Sequence, residues 1–196
     1  MAEKTFALSG YANLDIIGNA VNVIHSINVT KRAFGKDPIT AVLSLEEWKQ
    51  LALILPSVKE SAQKIWGEIQ AGTTPSLNQS QRTLSDKYML ILNAYAAPNG
   101  NRYVMTGLRQ YFYNSEGQML PKKDNGVTLS FKELCNLATH AGEVDKYISL
   151  CLSNSRVFAL RNITDMFEAQ RYVEEFWKNS SGRCRILLEK PNATTN

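Results

Sequence analysis

KYMLILNAY at residues 87–95, NRYVMTGLRQYFY at 101–113, QMLPKKDNGVTLS at 118–130 and FKELCNLATHAGEVDKYISL at 131–150 decide the fold. With a break at 96–100 and a turn at 114–117, they read as strand, strand, a basic stretch returning as strand, then helix. The same stretch sets Tyr88, Tyr95, Tyr103, Tyr111, Phe112 and Tyr113 among Lys87, Arg102, Arg109, Lys122 and Lys123. Aromatic faces beside basic groups are what a single nucleic-acid strand needs. Each base offers a flat face to stack on, and each phosphate a negative charge to neutralise. Alternation along a strand puts Tyr111 and Tyr113 on one side and Phe112 on the other, so the three cannot share one ligand.

The chain has 196 residues, 44% hydrophobic and 20% charged, enough for one or two small folded domains. Its net charge of +4 permits an anionic partner without demanding one. No apolar run is long enough for a membrane span, and MAEKTFALSG lacks a signal-peptide core, so an intracellular protein with no membrane partner is expected. Cys135, Cys151 and Cys184 make neither a disulfide framework nor a zinc set. His25 and His140 stand alone and read as structural. No Ser/His/Asp set, phosphate-binding loop or carboxylate pair appears at meaningful spacing, so neither an enzyme nor a cofactor or metal is expected.

Upstream, residues 1–14 suit one short strand ending near Asn13, and AVNVIHSINV at 20–29 suits a longer one. A turn follows at KRAFGKDP, then a strand at ITAVLS (39–44). Ser44 and Glu47 form a capping box for a helix with Leu45, Trp48, Leu51, Ala52 and Leu55 on one face. Pro56 predicts a break or kink, after which the helix resumes to residue 70. Residues 71–86, AGTTPSLNQSQRTLSD, read as a linker. SRVFALR at 155–161 reads as a strand, ITDMFEAQRYVEEFWKN at 163–179 as a helix, RCRILLEK as a last strand, and the final residues as disordered.

The helix region repeats. LSLEEWKQLALILPSVKESA from Leu43 lies on LSFKELCNLATHAGEVDKYI from Leu129 in one ungapped register. Leu43, Ser44, Glu47, Leu51, Ala52 and Val58 return as Leu129, Ser130, Glu133, Leu137, Ala138 and Val144, and Pro56 falls opposite Gly142. The capping box is therefore duplicated, while the strands upstream align poorly without gaps.

RQYFYNSEGQMLPKK at 109–123, followed by GVTL at 126–129, resembles the single-stranded DNA-binding family of the transcriptional coactivator positive cofactor four. That family has an Arg-acidic-Tyr-aromatic strand end, an acidic-Gly turn, a Met-x-Pro stretch, basic residues and a Gly-Ile-Ser-Leu strand entering a helix. The likeness covers residues 86–150 well and 5–69 faintly; residues 151–196 lie outside it. It implies a curved antiparallel sheet with a kinked helix, units paired through helices, and single-stranded DNA held in the sheet channels by stacking and phosphate contacts. Phe112 matches the stacking aromatic, Arg109 the basic residue three before it, and Lys122 and Lys123 the basic pair, with Asp124 diluting their charge. Tyr95 matches an aromatic at the end of the first strand. Ala96, Ala97 and Pro98 stand where the family has lysines, with Arg102 as the replacement and Tyr103 beside it.

The fold class expected is α+β. It comprises two tandem units, 1–70 and 87–150, each a curved antiparallel β-sheet followed by a kinked α-helix, with a strand-helix extension at 151–196. Paired within one chain, the units would imitate the family's dimer. The first unit offers Lys31, Arg32 and Lys36 with Phe34 and Tyr11, and weaker binding or none is expected there. The function expected is non-catalytic binding of single-stranded DNA, with RNA left open, in transcription or replication, at a nuclear or viral replication site. Expected partners are the nucleic acid, a second copy through the helices, and transcription or replication proteins. The rival reading is a protein-interaction or nucleoprotein structural module that kept the fold, docking through Phe176 and Trp177.

Overall fold

Alternating burial builds two four-stranded antiparallel sheets, each followed by a helix. The structure is a computed structural model that describes residues 2–18, 24–33, 35–76 and 79–161. The first sheet is β1 (Ala2–Ala7), β2 (Ala12–Gly18), β3 (Ile24–Lys31) and β4 (Ile39–Leu43), in that order, and α1 (Leu45–Gln70) follows it. The second is β5 (Gln79–Thr83), β6 (Tyr88–Ala96), β7 (Arg102–Tyr113) and β8 (Met119–Ser130), followed by α2 (Phe131–Arg161). The fold is α+β. Leu14, Ile16, Ile27, Val29, Ala41 and Leu43 point inward from the first sheet, and Leu90, Leu92, Val104, Leu108, Val127 and Leu129 from the second. These residues and the apolar faces of both helices form a single core. β6 reads as an unbroken apolar run because its other face is covered too. Met89 and Ile91 form a small outer cluster with Tyr111.

Both helices start on the expected capping boxes. Ser44 Oγ accepts from the Glu47 N–H at 3.1 Å, and Glu47 Oε2 from the Ser44 N–H at 2.8 Å. Ser130 Oγ accepts from the Glu133 N–H at 3.4 Å, and Glu133 Oε2 from the Ser130 N–H at 2.7 Å. The duplication reaches further upstream than ungapped alignment reveals. The Leu8 and Ser9 N–H groups share the Ala12 carbonyl, just as those of Leu84 and Ser85 share that of Tyr88. Ser9 and Ser85 each accept a backbone N–H two residues on, from Tyr11 and Lys87. Register breaks in between because β7 and β8 have 12 residues each, against 8 in β3 and 5 in β4.

The repeated parts meet reciprocally. Ser85 Oγ donates to Glu47 Oε1 at 2.7 Å, and Ser9 Oγ to Glu133 Oε1 at 2.8 Å. Each helix cap thus holds the serine in the first turn of the other half's sheet. Trp48 Nε1 of α1 donates to Asp145 Oδ1 of α2 at 2.7 Å. Trp66 stacks on Phe131 with ring centroids 5.2 Å apart. Asn136 Nδ2 donates to the Leu8 carbonyl at 2.7 Å. α1 also packs against β6 and β7 of the second sheet.

Glu133 is the most heavily loaded of these groups. Lys31 Nζ lies 2.7 Å from its Oε2 and also donates to the Thr128 carbonyl at 2.9 Å. Burial alone would raise the Glu133 carboxyl. Hydrogen bonds from Lys31, the Ser130 N–H and Ser9 together outweigh it and hold the group below its ordinary value. A carboxyl depressed in this way contributes stability above its unfolded-state value and loses it as pH falls through the folded value. Glu133→Ala is expected to lower unfolding free energy by about 3 kcal/mol, because Lys31 loses its counter-ion at a partly buried site. Wild-type stability should fall more between about pH 6 and about pH 3 than that of Glu133→Gln. Urea titrations of the three proteins at both pH values check this; parallel losses in wild type and Glu133→Gln would contradict it.

Several expectations need correction. Residues 71–86 are not all linker. QSQRT forms β5, whose strand character comes from backbone pairing with β6 and not from apolar alternation. Residues 1–14 hold β1, a turn and the start of β2 instead of one strand. Residues 155–161 continue α2, where the β-branched and aromatic content of SRVFALR had suggested a strand. Neither Pro56 nor Gly142 ends its helix. The boundary at 151 cuts through α2, and Cys151 is a buried part of the core. The helix, strand and tail expected beyond residue 161, with Phe176 and Trp177, lie outside the described residues.

Candidate nucleic-acid interface

Strand pairing fixes one face of the second sheet. On β6 and β7, Met89 stands opposite Arg109, Ile91 opposite Gly107, Asn93 opposite Met105, and Tyr95 opposite Tyr103. Their neighbours Leu90, Leu92, Val104 and Leu108 fill the core, so these four pairs face outward. Gly107 has no side chain, and the Arg109 side chain lies over it. A Cβ at Gly107 would come 3.4 Å from Arg109 Cγ. The guanidinium reaches on to β8, with Nη1 donating to the Gly126 carbonyl at 3.4 Å and Nη2 to Thr128 Oγ1.

An irregularity in the ladder puts lysine beside that guanidinium. Arg109 pairs with Gly126 while Tyr111 pairs with Pro121, so residues 122–125 stand opposite Gln110. Asn125 Nδ2 ties the bulge to Gln110 Oε1 at 3.3 Å. Gly126 closes it at a φ of 131°, with a Cβ position only 2.1 Å from the Leu108 carbonyl oxygen. The result is a groove of about 300 Å³ lined by Ile91, Asn93, Met105, Arg109, Pro121 and Lys122, with Gly107 and Thr128 completing its lining. Beyond Asn93 and Met105 the next outward pair is Tyr95, 52% exposed, and Tyr103, 41% exposed.

The sequence-derived site residues separate into groups. Arg109, Lys122, Tyr95 and Tyr103 lie along this one face. Arg102 is exposed at the start of β7, with Nη1 3.5 Å from the Thr73 carbonyl. Lys123 sits in the bulge, within β8. Phe112 is 45% exposed but pairs with Leu120 beyond the bulge, on the other face of β7 from Arg109. Tyr111 is buried and donates to the Ser85 carbonyl at 2.8 Å, so it serves packing. Lys31 is engaged by Glu133 and the Thr128 carbonyl. Arg32 and Lys36 are exposed, and the Arg32 N–H donates to the Tyr11 carbonyl at 2.7 Å. Phe34 lies outside the described residues. Sequence reading missed Gly107 and Thr128, which seat Arg109; an isolated glycine inside a strand was the available signal.

The corresponding face of the first sheet has different chemistry. Leu14 pairs with Val29 and Leu90 with Leu108, which puts Thr30 in the place of Arg109. Asp15 accepts from Thr5 at 2.7 Å and from Asn13 at 2.6 Å. Ser26 bonds Asn28, and Thr30 bonds Thr40. Hydroxyls, amides and one carboxylate satisfy each other there, with neither a stacking ring nor a cation among these groups. Among the described residues no group of three His, Cys, Asp or Glu could hold a metal, and no helix is long and apolar enough to cross a membrane. No family model matches this chain, and no curated protein matches it.

Proposed function

We propose that the outward face of the second sheet binds single-stranded DNA, without catalysis and with little sequence preference, in transcription or replication at a nuclear or viral site. One observation carries the reading. Two basic side chains, Arg109 and Lys122, line a groove, and the next outward pair beyond it on the same face is two exposed tyrosines, Tyr95 and Tyr103. Bases stack on the rings, and phosphates meet the cations. The first half acts as a built-in partner for the second, forming a pseudo-dimer within the chain. Its reciprocal caps at Glu47 and Glu133 support that role.

Stacking contributes roughly 1–3 kcal/mol per base. Replacing both Tyr95 and Tyr103 by Ala is therefore expected to weaken oligothymidine binding by about 10-fold or more, since each 1.4 kcal/mol is about tenfold. Both rings are substantially exposed, so the thermal midpoint should barely move. Phe112→Ala, on the other face, should leave affinity within about twofold. Fluorescence anisotropy with a labelled oligothymidine checks the two affinities, and a thermal melt checks the midpoint. Unchanged affinity in the double variant would remove the site.

The second reading, a protein-docking module, is favoured by Phe112 and Leu120, which pair as exposed apolar side chains near the tip of the hairpin formed by β7 and β8. Full single-strand affinity in Phe112→Ala together with loss of a protein partner would assign that tip to docking.

A further inference from the structure

A second concavity lies where α1 ends. It measures about 510 Å³ and is lined by Trp66, Gln70, Thr73, Asn101, Arg102 and Tyr103, among others. That size lies within the usual range of small-molecule sites, about 300–1,000 Å³. Its wall is pinned to the helix. Thr73 donates from N–H and Oγ1 to the Glu68 carbonyl at 3.0 and 2.9 Å. Ser76 donates from N–H and Oγ to the Glu68 carboxylate at 2.8 and 2.7 Å. On the far side, Asn101 Nδ2 donates to the Tyr103 hydroxyl at 3.3 Å.

Tyr103 joins this cavity to the groove. It lines the cavity, and it is the next outward side chain after Met105, which lines the groove. Along β7, Arg109 and Tyr103 stand roughly 20 Å apart, at about 3.4 Å per residue. A strand laid along it from Arg109 leads past Tyr95 and Tyr103 to the cavity. The cavity then offers an indole supported from behind by Phe131, the primary amides of Gln70 and Asn101, and the Arg102 guanidinium. Aromatic ring, amide and cation are the groups that meet a base face, a base edge and a phosphate respectively.

We infer that this cavity takes one nucleobase of the bound strand, so that the interface is a groove ending in a base pocket. The inference rests on the groove reading above. It assigns Trp66 and Tyr103 to the base, Gln70 to its edge, and Arg102 to the adjoining phosphate.

The test compares oligothymidines of about 3 and about 8 nucleotides, lengths that span the lower end of single-strand site sizes. Wild type is measured beside Thr74→Trp, which fills the cavity from an exposed lining position, and Gln70→Ala, an exposed truncation. Expected is a loss of about fivefold or more on the longer strand in Thr74→Trp, a smaller loss in Gln70→Ala, and unchanged affinity for the shorter strand in both. Thermal melts confirm folding, and Gln70→Ala carries the test if the bulky variant does not fold. Wild-type affinity of the variants for both lengths would overturn the pocket and leave the groove standing. Equal weakening on both lengths would also overturn it. If wild type binds neither strand, the groove reading fails and the pocket fails with it.

Discussion

Trp48→Ala is expected to cost about 4 kcal/mol of unfolding free energy, the middle of the range for truncating a large buried aromatic. Trp48 heads the largest fully buried side chains, with no solvent exposure. Its ring sits in the core formed by both sheets and both helices, and its Nε1 reaches Asp145 on the second helix. Alanine would leave a cavity at the place where the halves depend on each other. Trp48→Phe separates the two contributions. It keeps most of the volume and loses the donor, and Asp145 is exposed enough to bond water instead, so about 1–2 kcal/mol is expected. Because the halves share one core, both variants should still unfold in one transition, followed by tryptophan fluorescence and circular dichroism. A loss below about 2 kcal/mol in Trp48→Ala, against the usual range, would contradict the shared core. So would two separate transitions.

Gly126→Ala is the second large effect. At a φ of 131° the backbone lies where residues with a Cβ are rarely found, and the new Cβ would sit 2.1 Å from the Leu108 carbonyl oxygen and 2.8 Å from Arg109 Cα. Both neighbours are backbone, so relief requires β7 and β8 to separate. The expected cost is about 3 kcal/mol, combining a strained conformation with a disrupted ladder. The consequence reaches the groove because Gly126 also accepts from Arg109. Gly107→Ala is the contrast. Its Cβ would meet side chains and no backbone, Arg109 Cγ at 3.4 Å and Ile91 Cβ at 3.9 Å, so stability should change by under about 1 kcal/mol while the guanidinium shifts. Urea midpoints and oligonucleotide affinity, measured on both variants, separate the roles. Full stability in Gly126→Ala would mean that the bulge closes differently.

What could be read from the chain depended on range. Both capping boxes were legible because each is complete within four residues, and the turn at 114–117 because Asn114 Oδ1 accepts from Glu116 and Gln118 next to Gly117. The apolar run of β6 was equally plain. β5 was not, because QSQRT carries no pattern and becomes a strand only against its neighbour. Lys31 looked like a phosphate contact because its counter-ion, Glu133, is 102 residues away. Arg109, Lys122, Tyr95 and Tyr103 could each be named from the sequence, but not their common face. That depends on how β6 registers with β7 and on the bulge at 122–125. Strand alternation separated Phe112 from Tyr111 and Tyr113, yet only the sheet shows which side is core.

The most direct test of the central claim is a salt series of binding to an oligothymidine of about 20 nucleotides, beside a duplex of equal length. For single strands the logarithm of affinity falls with the logarithm of salt at a slope of about −0.7 per neutralised phosphate. Phosphate contacts from Arg109 and Lys122 predict a slope near −1.4 or steeper, with the single strand bound more tightly than duplex at every salt concentration. Absence of binding at low salt, or equal affinity for duplex, would contradict the assignment of the second sheet's outward face to single-stranded DNA.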